Sequence, residues 1–511
     1  MTTQPHDLSP VPAQQRINLL DYLRGFALIG ILFMNVEWFN RPDVDLLQFD
    51  FTQTGGNWAA SWLVKVFIEG KFYKLFSLLF GMGFAVMLIR AQEVGRPFGA
   101  WFTRRMIVLF VIGMCHLVFL WGGDILHDYA VAGLMLLGFV FLLRWKKLSR
   151  FNSPTAFAKT GFTLILLPFI ILTFVGIGYG VSHDNQKTSA SWQENSEVIT
   201  QVEQRVHTAK SVGEFLLTSA EYKALNEDSN MQDEPKKSEA LTTTIEQEET
   251  SQTPEGSDAD QHSKESTPET REERIEKSIN KQYESKQKRH YRSDEEQRIF
   301  TEGDYWQATQ HRWEKAIRAL GNTPFFALFI CLPLFMVGYW LIASERLKHP
   351  EKHQSFFNTL CYGGLFFGLI LSVSGVYLNL HPATKAAPEL QAVGNNLFFL
   401  GQFVLCAGYV GLFVKVHQKR WFSRAFSWLS PLGKMALTNY ISHSIIFTTL
   451  FYGYAGGMFG QIDRTQQMLF VVVVIIFQAV ISSIWLSYFK FGPLEWLWRS
   501  ATYLTLQPMK R

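Results

Sequence analysis

Cysteine is scarce in this sequence. The four present, Cys115, Cys331, Cys361 and Cys406, all fall in apolar segments, so there is no disulfide framework and no CxxC zinc or redox motif. Walker A, HExxH, GxSxG and Rossmann fingerprints are absent from the 511 residues, which removes the P-loop, zincin, nucleophile-elbow and dinucleotide-binding classes. Residues 1–15 are polar and lack a cleavable leader pattern, so the first apolar run is expected to direct insertion. Charge is thin as well: Asp, Glu, Lys and Arg make up 18% of the chain.

What is abundant is apolar. Hydrophobic residues account for 48% and aromatics for 15%, and several runs reach membrane length. That combination predicts an all-α polytopic membrane protein in contact with a lipid bilayer. Mean hydropathy is modest for the class because of one hydrophilic stretch, residues 181–310, with 28 acidic and 16 basic residues and a net charge of −12. The whole chain is +4, so the remainder is +16. That positive charge sits in short loops on one side of the spans. It marks them as cytoplasmic and is not a nucleic-acid surface.

About ten spans satisfy every loop, with both termini cytoplasmic and the insert in the periplasm of a bacterial inner membrane. The implied division is an N-terminal membrane domain (1–180, about five spans), an acidic, partly disordered insert (181–320) and a C-terminal membrane domain (321–511, about five more). Within the insert, residues 194–225 and 271–320 hold helix formers. Residues 226–270 are rich in Ser, Thr, Glu, Gln and Pro and are expected to be disordered. Residues 57–70 read as an amphipathic interfacial helix. Spans six and nine are expected near residues 324–342 and 431–452.

The first span, RINLLDYLRGFALIGILFMN, carries ions at the mouth of an apolar run. Asp21 and Arg24 are three residues apart on one face, and Asn35 lies about three turns, or roughly 16 Å, further along it. A snorkelling Arg24 neutralised by Asp21 fits this pattern; so does a polar site lined by the helix. Lys71 and Lys74 fall on the side opposite to the basic loops, and they either snorkel or line the interior. Gly122-Gly123-Asp124 turns the third span into the fourth, with Asp124 placed as N-cap. Asp124, His127 and Asp128 share one helical face, and His116 lies two turns earlier near the same membrane side, an arrangement suited to moving protons or binding a polar substrate; it has too few ligands for a metal. In the ninth span Lys434, Thr438, Asn439, Ser442 and His443 form a polar stripe, read either as interhelical hydrogen bonding or as a substrate-facing surface. In FGPLEWLWRSATY, Gly492 ends a span, Pro493 opens a helix, Glu495 precedes Arg499 by one turn, and Trp496, Trp498 and Tyr503 suit an interfacial anchor.

LDYLRGFALIGILFMNV, GKFYKLFSLLFGMGF, WGGDIL, GKMALTNYISHS and FGPLEWLWRSATY together resemble the YeiB-like bacterial inner-membrane proteins. Their C-terminal half is a domain without an assigned function, and the family is loosely described as transport-related. The first span is also similar to that of the transmembrane acyltransferases, whose bacterial members have an Arg followed, after ten intervening residues, by a catalytic His. Arg24 matches that Arg, Asn35 stands at the His position, and no His occurs between Asn35 and His116. That resemblance implies an acyl-CoA donor at Arg24 and an envelope glycan or lipid acceptor, with His116 or Asp124 as base. Donor or substrate contacts are expected from Asp21, Arg24, Asn35, Lys71, Asn439 and His443. The alternative is a small-molecule transporter using the same polar residues without covalent chemistry.

Overall fold

The computed structural model describes residues 18–46, 54–144, 153–182, 185–225, 270–381, 384 and 386–511. The chain separates into a membrane unit, Met1–Ser182 with Gln297–Arg511, and a second unit, His183–Glu296. Among the described residues there is no strand, only a lone bridge between Phe489 and Lys510. The expected disorder of 226–270 falls almost wholly outside the described residues.

In the membrane unit, α1 (Asn18–Asn40) is followed by α2 (Gly55–Trp62), which runs through a π turn toward α3 (Phe72–Glu93). Then come α4 (Gly99–Phe119), α5 (Leu126–Arg144) and α6 (Pro154–Ser182). Nine helical stretches among the described residues are long and apolar enough to cross a membrane. The protein is therefore an all-α, multi-pass membrane protein. Arg104 and Arg105 lie inside the first two turns of α4. At the start of the stretch expected in the interface, Asn57 Oδ1 accepts from Thr465 N and Oγ1.

The second unit contains α7 (Asn185–Val212) and most of α8 (Arg271–Thr301). They run side by side in the same direction, since Glu197 meets Arg271, Arg205 meets Asn280 and Phe215 meets His290. Val198, Val202, Ile275 and Ile279 form their apolar seam.

The chain returns to the membrane unit through α9 (Tyr305–Phe326), whose first turn is closed by an Asp304–Gln307 capping box. A π turn at Ala327–Cys331 joins it to α10 (Leu332–Ala343). The sixth span is thus the end of one 39-residue helical stretch, Tyr305–Ala343. It continues through Pro324. Next come α11 (Gly364–Leu380) and α12 (Pro388–His417). The expected ninth span is two helices, α13 (Leu429–Lys434) and α14 (Ala436–Phe451), with α14 only 16 residues long. The chain closes with α15 (Arg464–Tyr488) and α16 (Pro493–Tyr503).

The reason for the break before α14 is packing. A Cβ on Gly433 would lie 1.8 Å from Asp21 O, and one on Gly25 would lie 2.2 Å from Leu429 O. The backbones of α1 and α13 thus touch reciprocally, which only glycine allows. α3 and α10 repeat the device, with Gly81 against Phe335 O and Gly338 against Leu78 O. Where lipid leaves little hydrophobic drive between helices, such close approach supplies dispersion contact and sets the register.

Candidate functional site

The Gly122-Gly123 turn swings Asp124 back over the end of α4. Asp124 Oδ2 accepts from Leu126 N at 2.8 Å and His127 N at 3.2 Å, so it caps α5 as the sequence suggests. The same carboxylate accepts from two imidazoles: Oδ1 from His116 Nδ1 at 2.8 Å, and Oδ2 from His127 Nδ1 at 3.0 Å. Asp124, His116 and His127 are all buried. Burial pushes the Asp124 carboxyl up, but the hydrogen bonds from His116 and His127 outweigh that and hold it below its ordinary value.

On its far side, His116 Nε2 meets Ser444 Oγ at 2.7 Å. Ser444 belongs to α14 and is 1% exposed. An ionised carboxylate can only accept, so Nδ1 carries the ring proton, Nε2 offers its lone pair, and the Ser444 hydroxyl donates. Asp124, His116 and Ser444 are therefore one directed chain joining the α4–α5 turn to α14. The sequence brought out Asp124 and His116. It did not single out Ser444, the last residue of the GKMALTNYISHS stretch, which is 328 positions from His116. The ring of Tyr440, one turn earlier on α14, packs 5.3 Å from that of His116.

The other polar residues assemble elsewhere. Arg24 Nη1 pairs with Asp21 Oδ1 at 2.9 Å at the basic end of α1, its side chain 31% exposed. It lies three turns away from Asn35 on the same helix. Asn35 is half-buried and takes no part in the Asp124 chain. Asn439 and His443 belong to a network with α15: Asn439 Nδ2 reaches Ser482 Oγ at 3.0 Å, and His443 Nε2 reaches Gln478 Oε1 at 2.7 Å.

Lys71 and Lys74 point inward and are fully buried. Lys71 Nζ donates to Lys65 O at 3.1 Å and sits over the Phe398 ring. Lys74 Nζ is held by Gly70 O, the Tyr73 hydroxyl and Gln402 Oε1, with the rings of Phe399 and Phe403 beneath it. All three of its hydrogen-bond partners are uncharged.

Glu495 was expected to pair with Arg499 along α16. Its oxygens instead cap α14: Oε1 accepts from Leu437 N at 2.7 Å and Thr438 N at 3.1 Å, and Oε2 from Thr438 Oγ1 at 2.6 Å. These orphan amides at the helix start outcompete a solvated i,i+4 pair. Gly492 and Pro493 place the start of α16, Trp496 Nε1 donates to Gln507 O, and Arg499 lies over Phe491. A further tie absent from the sequence reading is buried Glu37, whose Oε1 accepts from Arg464 Nη2 at 2.6 Å. Among the described residues no group of three or more His, Cys, Asp and Glu could hold a metal ion.

This architecture is that of a multi-pass helical membrane protein whose buried polar chain joins its two halves. Residues 341–505 match the family described as protein of unknown function (DUF418). Along nearly its whole length the chain is similar to the Bacillus subtilis protein YxaH, at 28% identity over 99% of this chain and 98% of that one. It is similar to Escherichia coli YeiB at 23% identity over 96% of this chain and 97% of that one. Over nearly its whole length the chain is thus similar to the YeiB-like membrane proteins. No solved structure matches it.

Proposed function

We propose that the protein transfers an acyl group across a bacterial inner membrane, from a cytoplasmic donor to a hydroxyl acceptor on an envelope glycan or lipid. The observation that carries this reading is the buried Asp124–His116–Ser444 chain, with contacts of 2.8 and 2.7 Å. A carboxylate that orients an imidazole whose other nitrogen faces a hydroxyl is the geometry of general-base activation. In this reading the basic loops face the cytoplasm and the insert faces the periplasm. Arg24, half-exposed at the basic end, binds the phosphates of an acyl-CoA type donor. The donor's flexible arm runs along α1 past Asn35 toward His116.

Incubating the purified full-length protein with acyl-CoA and envelope lipid or glycan acceptors tests it. Thiol release that depends on acceptor and is lost in His116→Ala is the expected result. Unchanged release in that variant overturns the assignment.

One observation favours a second reading, transport without covalent chemistry. Lys71 and Lys74 are fully buried in the bundle, and ionisable residues inside spans commonly mark translocation paths. A cryo-EM map of protein purified without added ligand separates the two. CoA-like density beside Arg24 supports transfer, and a solute beside Lys71 and Lys74 supports transport.

A further inference from the structure

We propose that Ser444 is a nucleophile that carries the acyl group as a covalent ester between donor and acceptor, with the Tyr440 hydroxyl as its oxyanion donor. This rests on the acyl-transfer reading and adds an intermediate to it.

Three features support it together. The hydrogen bond from Ser444 is directed, because Asp124 fixes the His116 tautomer and leaves Nε2 able to take only the serine proton. The chain is sealed, with Ser444 and His116 each 1% exposed, so water does not compete for the base. The third feature is an unused donor. Tyr440 is 6% exposed, and its hydroxyl donates to no acceptor among the described residues, the Ile125 backbone N–H being directed at its oxygen. A buried hydroxyl proton with no acceptor is costly, and a tie built only to hold helices together gains nothing from it. Tyr440 is four residues before Ser444 on α14, hence on the same face, with its ring against His116. Nucleophile, base and orienting carboxylate thus form one chain, with the Tyr440 ring packed against the base.

The chemistry closes without another reactant. Ser444 Oγ attacks the donor's thioester carbonyl while its proton passes to His116 Nε2, and Asp124 stabilises the imidazolium. The oxyanion takes the Tyr440 hydrogen bond, the C–S bond breaks, and the thiolate leaves as thiol with the proton from His116. The acceptor hydroxyl then attacks the Ser444 ester, gives its proton to His116, and releases the acyl ester. Ser444 recovers that proton from His116. The net change is thioester plus alcohol to ester plus thiol.

The test uses full-length protein in detergent with acetyl-CoA and, separately, palmitoyl-CoA, without acceptor. Mass spectrometry after acid quench should find one acyl group on the peptide holding Ser444, absent from Ser444→Ala and His116→Ala. Ser444→Cys, which keeps the size of the site, should carry a thioester that neutral hydroxylamine removes, whereas the wild-type ester survives it. Tyr440→Phe should slow acylation about 10²–10³-fold with an unchanged melting temperature. With acceptor added, transfer that persists in Ser444→Ala but fails in His116→Ala overturns the covalent step and leaves direct acyl transfer standing. Absence of acylation without acceptor, together with absence of thiol release once envelope lipid or glycan acceptor is added, with either donor, overturns both.

Discussion

Asp124 does two jobs with one carboxylate: Oδ2 caps α5, and both oxygens accept from imidazoles. Asparagine separates the jobs, because its carbonyl still caps the helix while its amide no longer fixes the His116 tautomer. Asp124→Asn should lower transfer by about 10³–10⁴-fold and reduce stability by about 1–3 kcal/mol for the lost charged hydrogen bonds. Rates and melting curves on the same preparation check this, and equal losses in an active-site-independent assay would mark the residue as structural. Arg24 is the second decisive position. Lys keeps its charge but not the planar fork that grips a phosphate. Arg24→Lys should therefore raise the donor KM at least about tenfold, whereas full activity would leave Arg24 as a topology anchor paired with Asp21.

Among the elements, the contact of α1 with α13 depends on two glycines. With Asp21 O only 1.8 Å from where a Cβ on Gly433 would stand, Gly433→Ala must push α1 away. Overpacking of this kind costs about 1–3 kcal/mol, so the melting temperature in detergent should fall, and more than for alanine at Gly138, where no heavy atom lies within 4 Å of an added Cβ. The cap of α14 by α16 carries a pH signature. Burial pushes the Glu495 carboxyl above its ordinary 4.5, and the hydrogen bonds from Thr438 and Leu437 offset only part of that. A raised folded-state value gives stability that is fully present below 4.5 and is lost as pH rises through the folded value. Relative to Glu495→Gln, the melting temperature of the wild type should therefore decline as pH is raised from that point. A constant difference across pH would show that Glu495 does not titrate on unfolding.

For the molecule as a whole, the charge asymmetry of −12 in residues 181–310 against +16 elsewhere, counted on the sequence, predicts orientation. An alkaline phosphatase fusion at Glu249 should be active and a GFP fusion there dark. Fluorescence at that position would invert the topology and place the Asp124–His116–Ser444 end of the bundle toward the cytoplasm.

The sequence by itself determined the solvent of this protein and the existence of its spans, because twenty apolar residues in a row have few other stable states. It also determined the helix-cap role of Asp124, a local interaction across three residues. Local pattern reached His116 and Asp124 for the same reason: they are eight residues apart across one tight turn. Only the tertiary structure decided what those groups meet. Ser444 looks like one more polar residue of the ninth span until its hydroxyl meets His116 Nε2. Lys71 and Lys74 could have snorkelled outward until Phe398, Phe399, Phe403 and Gln402 closed over them. Glu495 left its neighbour on α16 for the amides of α14. In each case the partner is more than fifty residues away. Helix periodicity says which face a side chain occupies, and only packing says what that face is pressed against.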